Sequence, residues 1–208
     1  MNIRDIAGLA PVIPIITIDD PATAVPLARA LVAGGLPVIE VTLRTEAALA
    51  AARAMIAQVP EAVIGLGTVT RRDHVAAALD IGARFLVSPG FSTELAELVR
   101  QSKLPFLPGI ATASELMAAL ASGFSILKFF PAEPAGGIAM LRALHGPFPD
   151  AAFCPTGGID ADKAVAYLEL PNVVAVGGSW VAPRPAVIAK DWPKITALAR
   201  AASDLRKR

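Results

Sequence analysis

The sequence predicts a (β/α)8 barrel of the TIM type with a short N-terminal helix, formed as one domain over residues 1–208. Short apolar runs rich in Val, Ile and Phe occur eight times, at intervals of 20 to 26 residues. The stretches between them are rich in Ala, Leu, Glu and Arg at helical spacing, and no change of composition divides the chain. Eight strand–helix repeats without a break are typical of such a barrel.

The elements follow in order along the chain. Residues 2–9 read as a short helix before the first strand. The eight predicted strands are residues 12–18, 37–43, 63–69, 85–89, 106–110, 126–131, 152–158 and 173–179. Several of the intervening helices end at a glycine, as helices commonly do, namely Gly34/Gly35, Gly82 and Gly123. The alternative, an open doubly wound sheet, is disfavoured because no glycine-rich dinucleotide fingerprint follows the first strand.

Composition and charge argue against several classes of partner. The net charge is +1, and no basic block occurs before the tail "RKR" at 206–208, which we interpret as a solvated helix end. We therefore expect no nucleic-acid partner. The longest run without a charged residue is 14 residues long, too short for a transmembrane helix, and the N-terminus has no signal-peptide pattern. We expect no membrane partner.

The few cysteine and histidine residues also limit the possible chemistry. Cys154 is the sole cysteine, so it cannot form an internal disulfide, which agrees with a reducing cytoplasm. The two histidines, His74 and His145, have no spacing that would make them joint ligands. We expect no metal and no cofactor.

The second predicted strand carries a carboxylate and a guanidinium on one face. Side chains alternate along a strand, so Glu40 and Arg44 share the face of Val38 and Thr42, while the opposite face, at residues 37, 39, 41 and 43, is wholly apolar. The apolar face suits the helix layer. We therefore expect Glu40 to point to the barrel axis and Arg44 to lie at the rim.

A lysine interrupts the sixth predicted strand, "ILKFFP", in which Lys128 shares a face with Phe130. Lys128 and Glu40 are thus directed at the same interior. One interpretation is a buried structural ion pair. The other is a nucleophile with its proton shuttle, because burial favours the neutral form of an amine and a neutral lysine forms Schiff bases with ketones.

Two glycine pairs end the last two predicted strands. Thr156, Gly157 and Gly158 end the seventh, and Gly177, Gly178 and Ser179 end the eighth. Backbone N–H groups and hydroxyls at these two strand ends commonly hold a phosphate in barrels. A phosphate site is therefore predicted there.

These motifs together resemble the bacterial aldolases for 2-keto-3-deoxy-6-phosphogluconate (KDPG) and 4-hydroxy-2-oxoglutarate (KHG), of the Entner–Doudoroff pathway. The likeness runs from about Pro11 to Val181. It is carried by "PVIPI", "IEVTLRTEAAL", "GTV", "SPG", "LPGIATASELM", "LKFFPAE", "GPFPD", "FCPTGGI" and "VGGSW".

The resemblance implies a class I aldolase that needs no metal, usually a homotrimer, acting on a phosphorylated keto acid. It makes Lys128 the Schiff-base lysine and Glu40 the acid/base. The other implied contacts are Arg44 and Thr68 to the pyruvyl carboxylate, Phe130 in the substrate pocket, and Thr156, Gly157, Gly158 and Ser179 to the phosphate.

Departures from the family pattern are small. Leu66 stands where the family often has alanine, and we expect it to tighten the interior near Thr68 because the two share a parity. Three alternatives stay open: a 6-phosphogalactonate aldolase, a phosphosugar isomerase with Glu40 as base, and a phosphosugar-binding regulator without activity.

Overall fold

The computed structural model describes residues 1–207 and contains nine parallel strands alternating with helices. The predicted solvated tail at 206–208 lies outside the residues whose side chains are described. The strands are β1 (Val12–Ile16), β2 (Val38–Thr42), β3 (Val63–Gly67), β4 (Phe85–Val87), β5 (Phe106–Leu107), β6 (Gly109–Ile110), β7 (Ile126–Phe129), β8 (Ala152–Pro155) and β9 (Val176–Gly178).

The helices lie between the strands and at both ends of the chain. They are α1 (Ile3–Ala7), α2 (Ala24–Ala33), α3 (Ala48–Gln58), α4 (Arg72–Ile81), α5 (Thr93–Ser102), α6 (Ala113–Ala121), α7 (Gly137–His145), α8 (Ala161–Leu168), α9 (Arg184–Ile188) and α10 (Trp192–Ser203). The predicted short N-terminal helix is confirmed. It begins at a capping box in which the Asn2 side chain accepts from the Asp5 N–H and the Asp5 carboxylate accepts from the Asn2 N–H.

The prediction of a closed eight-stranded (β/α)8 barrel is wrong. The strands form a six-stranded half-barrel in the order β5-β4-β3-β2-β1-β9 and a separate three-stranded sheet in the order β6-β7-β8. Pro108 divides the predicted fifth strand, because proline has no N–H to donate to a ladder. At the other junction, the chain around β8 meets the chain around β9 in two isolated bridges, Phe153–Val173 and Thr156–Gly177, and not in a continuous ladder.

An apolar cluster nevertheless lies between the two sheets. It takes one or two buried side chains from most strands, including Val38 of β2, Phe85 of β4 and Ile126 of β7. Ile6 and Ala7 of α1 belong to the same cluster and are 1% exposed. Helix α1 therefore covers one end of this interior, and the polar side chains lie toward the other end, where the strands finish.

A second and larger cluster fills the layer between the sheets and the helices. Ile39 and Val41 of β2 belong to it, whereas Val38 belongs to the interior cluster. The alternation predicted for this strand is confirmed.

Two further features bear on possible ligands. Within residues 1–207, no helix combines the length and apolar character that crossing a bilayer would require. In the same part of the chain, no three His, Cys, Asp or Glu side chains are grouped so that they could hold a metal ion.

Candidate active site

Lys128 and Glu40 meet in the interior, although 88 positions separate them in the chain. Lys128 Nζ lies 3.0 Å from Glu40 Oε1 and 3.3 Å from Oε2. The two side chains are 6% and 2% exposed. A proton can pass directly between groups at this distance, so the carboxylate can accept the ammonium proton and leave a neutral nucleophilic amine.

The third strand makes room for the carboxylate. Gly65 of β3 is paired with Glu40, and Gly67 is paired with Thr42. A Cβ placed on Gly67 would lie 2.6 Å from Glu40 Cγ and 2.7 Å from its Cδ, closer than carbon atoms approach. Gly67 therefore makes way for the Glu40 side chain. The sequence itself indicates this space, since Gly65 and Gly67 of "GLGTV" lie on one face of the strand and leave that face without side chains at these two positions.

The surroundings of Lys128 are an aromatic ring and a thiol. The Phe130 ring centroid lies 5.3 Å from Lys128 Nζ, within cation–π range. Cys154 of β8 is paired with Lys128, and burial raises the pKa of its thiol to about 12. The thiol thus stays protonated at neutral pH and does not compete with Lys128 as a nucleophile.

Arg44 and Ser179 are exposed and line one cavity of about 690 Å³. Arg44 follows β2 and Ser179 follows β9, the two strands that flank β1 in the sheet. The same cavity is lined by Asp19 and Arg184, which form an ion pair of 2.9 Å at its edge. The lining does not include the buried lysine–glutamate pair. The cavity therefore brings together one residue predicted for the pyruvyl carboxylate and one predicted for the phosphate.

Thr68 follows β3 directly in an unusual backbone conformation. Its φ angle is +62°, in the left-handed region that β-branched residues rarely adopt. Such conformations concentrate at functional sites, where surrounding structure maintains them.

The change of φ at Thr68 also ends the strand alternation, so the parity argument for Leu66 fails. Leu66 is fully buried in the cluster on the helix side, and its predicted position in the interior is wrong.

The loop 156–158 contains two glycines in a left-handed backbone conformation. Gly157 and Gly158 have φ angles of +104° and +79°. Thr156 is buried, and its Cβ would be 3.2 Å from a Cβ on Gly177, so this second glycine permits the close approach of β8 and β9. The sequence prediction did not identify Glu133, Lys163 and Tyr167, whose side chains meet beside this loop.

A buried amine beside a carboxylate in a parallel α/β fold suits an enzyme that binds a ketone covalently. The family model of the KDPG and KHG aldolases matches this sequence over residues 3–198, and the chain belongs to this family.

Relatives and solved structures agree with this assignment. The chain is 49% identical to the 2-dehydro-3-deoxy-phosphogluconate aldolase of Pseudoalteromonas atlantica and 47% identical to the KHG/KDPG aldolase of Escherichia coli K12, over 96% of this chain and 93% of each relative. The KDPG aldolase of Legionella pneumophila, solved with pyruvate captured at low pH as a covalent carbinolamine intermediate, has a TM-score of 0.96 at 45% identity. The match covers 98% of both chains.

Proposed function

We propose that this chain is a class I aldolase that cleaves 2-dehydro-3-deoxy-6-phosphogluconate into pyruvate and D-glyceraldehyde 3-phosphate, with Lys128 as the Schiff-base residue. The observation that carries the proposal is the 3.0 Å contact between the buried Lys128 amine and the Glu40 carboxylate. The proposed catalytic domain spans residues 1–208, and no metal or cofactor takes part.

The proposed reaction begins at the amine. Neutral Lys128 adds to the C2 carbonyl of the keto acid to give a carbinolamine, which loses water to become an iminium. Glu40, directly or through a water, accepts the proton of the C4 hydroxyl. The C3–C4 bond then breaks, its electron pair forms an enamine at C3, and the aldehyde leaves. Protonation of C3 and hydrolysis of the iminium release pyruvate and the free amine.

The remaining predicted residues hold the two ends of the substrate in this proposal. Arg44 is a forked donor suited to a carboxylate, and Thr68 adds a hydroxyl on the same side. Phe130 borders the reacting carbons. Thr156, Gly157, Gly158 and Ser179 bind the phosphate. Binding of a distant group orients the reacting atoms, so a substrate without phosphate is expected to react less efficiently.

A second substrate is supported by one specific observation. The Escherichia coli relative at 47% identity is a KHG/KDPG aldolase. We therefore include cleavage of 4-hydroxy-2-oxoglutarate to pyruvate and glyoxylate in the proposal. Its carboxylate replaces the phosphate end, which favours lower efficiency than with the phosphorylated substrate.

The assembly and location are also proposals. A homotrimer is implied by the family resemblance, and sedimentation of the purified protein would measure it. A cytoplasmic location is supported by the single cysteine, Cys154, which is unpaired.

The test of the proposed function combines turnover with trapping of the imine. Pyruvate release from each keto acid is followed by a coupled assay, and the enzyme is treated with pyruvate and borohydride before peptide mass spectrometry. We expect release from the phosphorylated gluconate derivative and one reduced adduct, on Lys128. An adduct on another lysine, or turnover without an adduct, would contradict the role of Lys128. Greater activity with the galactonate epimer would identify that sugar acid as the substrate.

A further inference from the structure

The three successive backbone carbonyls of the loop 156–158 each accept a hydrogen bond. The contacts are Ala132 N–H to Thr156 O at 2.8 Å, Glu133 N–H to Gly157 O at 3.1 Å and Lys163 Nζ to Gly158 O at 3.1 Å. The segment after β7 and the first turn of α8 thus hold the same short loop.

Fixing the carbonyls also fixes the amides. In a trans peptide unit the C=O and N–H groups point in opposite directions. Bonds to the carbonyls of Thr156 and Gly157 therefore turn the N–H groups of Gly157 and Gly158 to the other side of the loop. Within residues 1–207 these two N–H groups have no hydrogen-bond acceptor, so they are available for an anion.

The side chain of Glu133 joins this arrangement to helix α8. Glu133 Oε1 accepts a hydrogen bond from the Tyr167 hydroxyl at 2.5 Å, and Oε2 lies 2.7 Å from Lys163 Nζ. Lys163 and Tyr167 are four residues apart, so both lie on one face of α8. The helix start is fixed in turn by Asp160, whose side chain accepts from the Lys163 N–H at 2.9 Å.

The loop packs directly on the Glu133 stem. A Cβ on Gly158 would lie 2.8 Å from both Cβ and Cγ of Glu133. The hydrogen bonds from Lys163 and then from Tyr167 lower the pKa of Glu133, which keeps this carboxyl ionised at neutral pH. Tyr167 is fully buried, so its hydroxyl holds Glu133 from within the core.

We propose that Glu133, Lys163 and Tyr167 form a clasp that positions the loop 156–158 so that its amides face the phosphate of the substrate. These are positioning residues, because the Lys163 amine contacts the Gly158 carbonyl and the Glu133 carboxylate joins Lys163 to Tyr167. The inference rests on the proposed function, since it assigns the phosphate end of the keto acid to this loop.

The clasp is tested with Tyr167→Phe, Lys163→Met and the conservative Lys163→Arg. Each of the first two removes one donor without changing the bulk of the side chain much. Loss of one hydrogen bond that positions a charged ligand corresponds to about a tenfold rise in KM for the phosphorylated keto acid. We expect little change in the rate of deuterium exchange of the pyruvate methyl group, because pyruvate has no group at the phosphate end. Lys163→Arg should restore much of the lost affinity.

The control is Arg53→Met, which removes a similar exposed ion pair, that of Arg53 with Asp80, far along the chain from this loop. Arg53→Met should change neither the KM for the phosphorylated keto acid nor the deuterium exchange of the pyruvate methyl group. Equal losses with phosphorylated and unphosphorylated substrates would show a merely structural role, and unchanged KM in both clasp variants would overturn the inference. If the wild type itself showed no preference for a phosphorylated substrate, the proposed function would fail instead.

Discussion

Gly67 of β3 lies directly against Glu40 of β2, so closely that a Cβ on the glycine would be 2.6 Å from Glu40 Cγ. The absence of a side chain at one position thus allows the carboxylate at the other to reach the Lys128 amine. This relationship leads to a first prediction.

Gly67→Ala should displace Glu40 and thereby lower kcat, and it should destabilise the fold by about 1–3 kcal/mol, the usual cost of overpacking a filled site. Steady-state release of pyruvate measures the effect. Shortening the carboxylate in Gly67→Ala with Glu40→Asp should recover part of it. Gly146→Ala is the matched control, since a Cβ there meets nothing within 4 Å. Full turnover in Gly67→Ala would show that catalysis does not depend on the space that Gly67 leaves for Glu40.

Glu40→Gln should lower turnover by about 10²- to 10⁴-fold, the usual contribution of a general acid–base group. The amide keeps the size of the side chain and can still accept a hydrogen bond from Lys128, so the fold and the cavity should persist. Pyruvate binding measured by calorimetry should therefore change little. Turnover near that of the wild type would remove Glu40 from the proposed mechanism.

Lys128→Met should abolish turnover and also destabilise the protein. The substitution leaves the Glu40 carboxylate buried without its partner, and breaking a buried pair costs about 3–5 kcal/mol. Urea unfolding measures the loss. The double variant Lys128→Met with Glu40→Leu should be more stable than Lys128→Met alone, because no charge is then left unpaired. Equal stability of the two variants would mean that the single variant does not bury an unpaired charge.

Thr68→Asn should raise stability by about 1 kcal/mol while it weakens binding of the keto acid. Asparagine tolerates the left-handed region better than a β-branched residue does, so the strain at φ +62° is relieved. Lys103, with φ +59° at the end of α5, provides the control. Lys103→Asn should stabilise similarly and leave KM unchanged. A gain in stability without any change in KM at Thr68 would argue against its role at the pyruvyl carboxylate.

The stability of the wild type should fall as the pH drops below about 6.5, in a way that depends on His74. Burial, and then the nearby Arg71 charge, lowers the pKa of His74, and its Nδ1 accepts from the Thr70 N–H at 3.2 Å. A histidine whose pKa is depressed in the folded state contributes stability above its unfolded pKa of about 6.5 and loses it as the pH falls further. Denaturant unfolding at several pH values should show this slope.

The comparison variant for this slope is His74→Gln, which keeps an acceptor near Thr70 but does not titrate. Its unfolding free energy should depend less on pH in the same window. Identical slopes for the two proteins would place the pH dependence elsewhere.

Sequence reasoning succeeded where a strand is regular. The period of two along β2 placed Val38 in the interior cluster and Ile39 and Val41 on the helix side, and the same rule directed Glu40 and Lys128 at each other. Parity needs only a local repeat, which the sequence displays directly.

The rule failed where the backbone departs from a regular strand. Leu66 is paired with Val41 and packs with it against the helices, and the positive φ of Thr68 ends the alternation after β3, so Leu66 and Thr68 do not share an environment. Pro108 splits the predicted fifth strand, a signal that the sequence contains, since proline within a strand is confined to edges, strand starts or bulges. The clasp around Glu133 could not be predicted from the sequence, because its partners Lys163 and Tyr167 lie 30 and 34 positions away on another element.

The cover that α1 forms over one end of the apolar interior has a consequence for how products depart. With that end covered by Ile6 and Ala7, we expect the substrate of the proposed reaction to enter and leave at the carboxyl ends of the strands. The phosphorylated aldehyde then lies between this opening and the pyruvyl fragment that is still attached to Lys128. The enzyme should therefore discharge the aldehyde first and the pyruvate second, and product-inhibition patterns should reveal this fixed sequence.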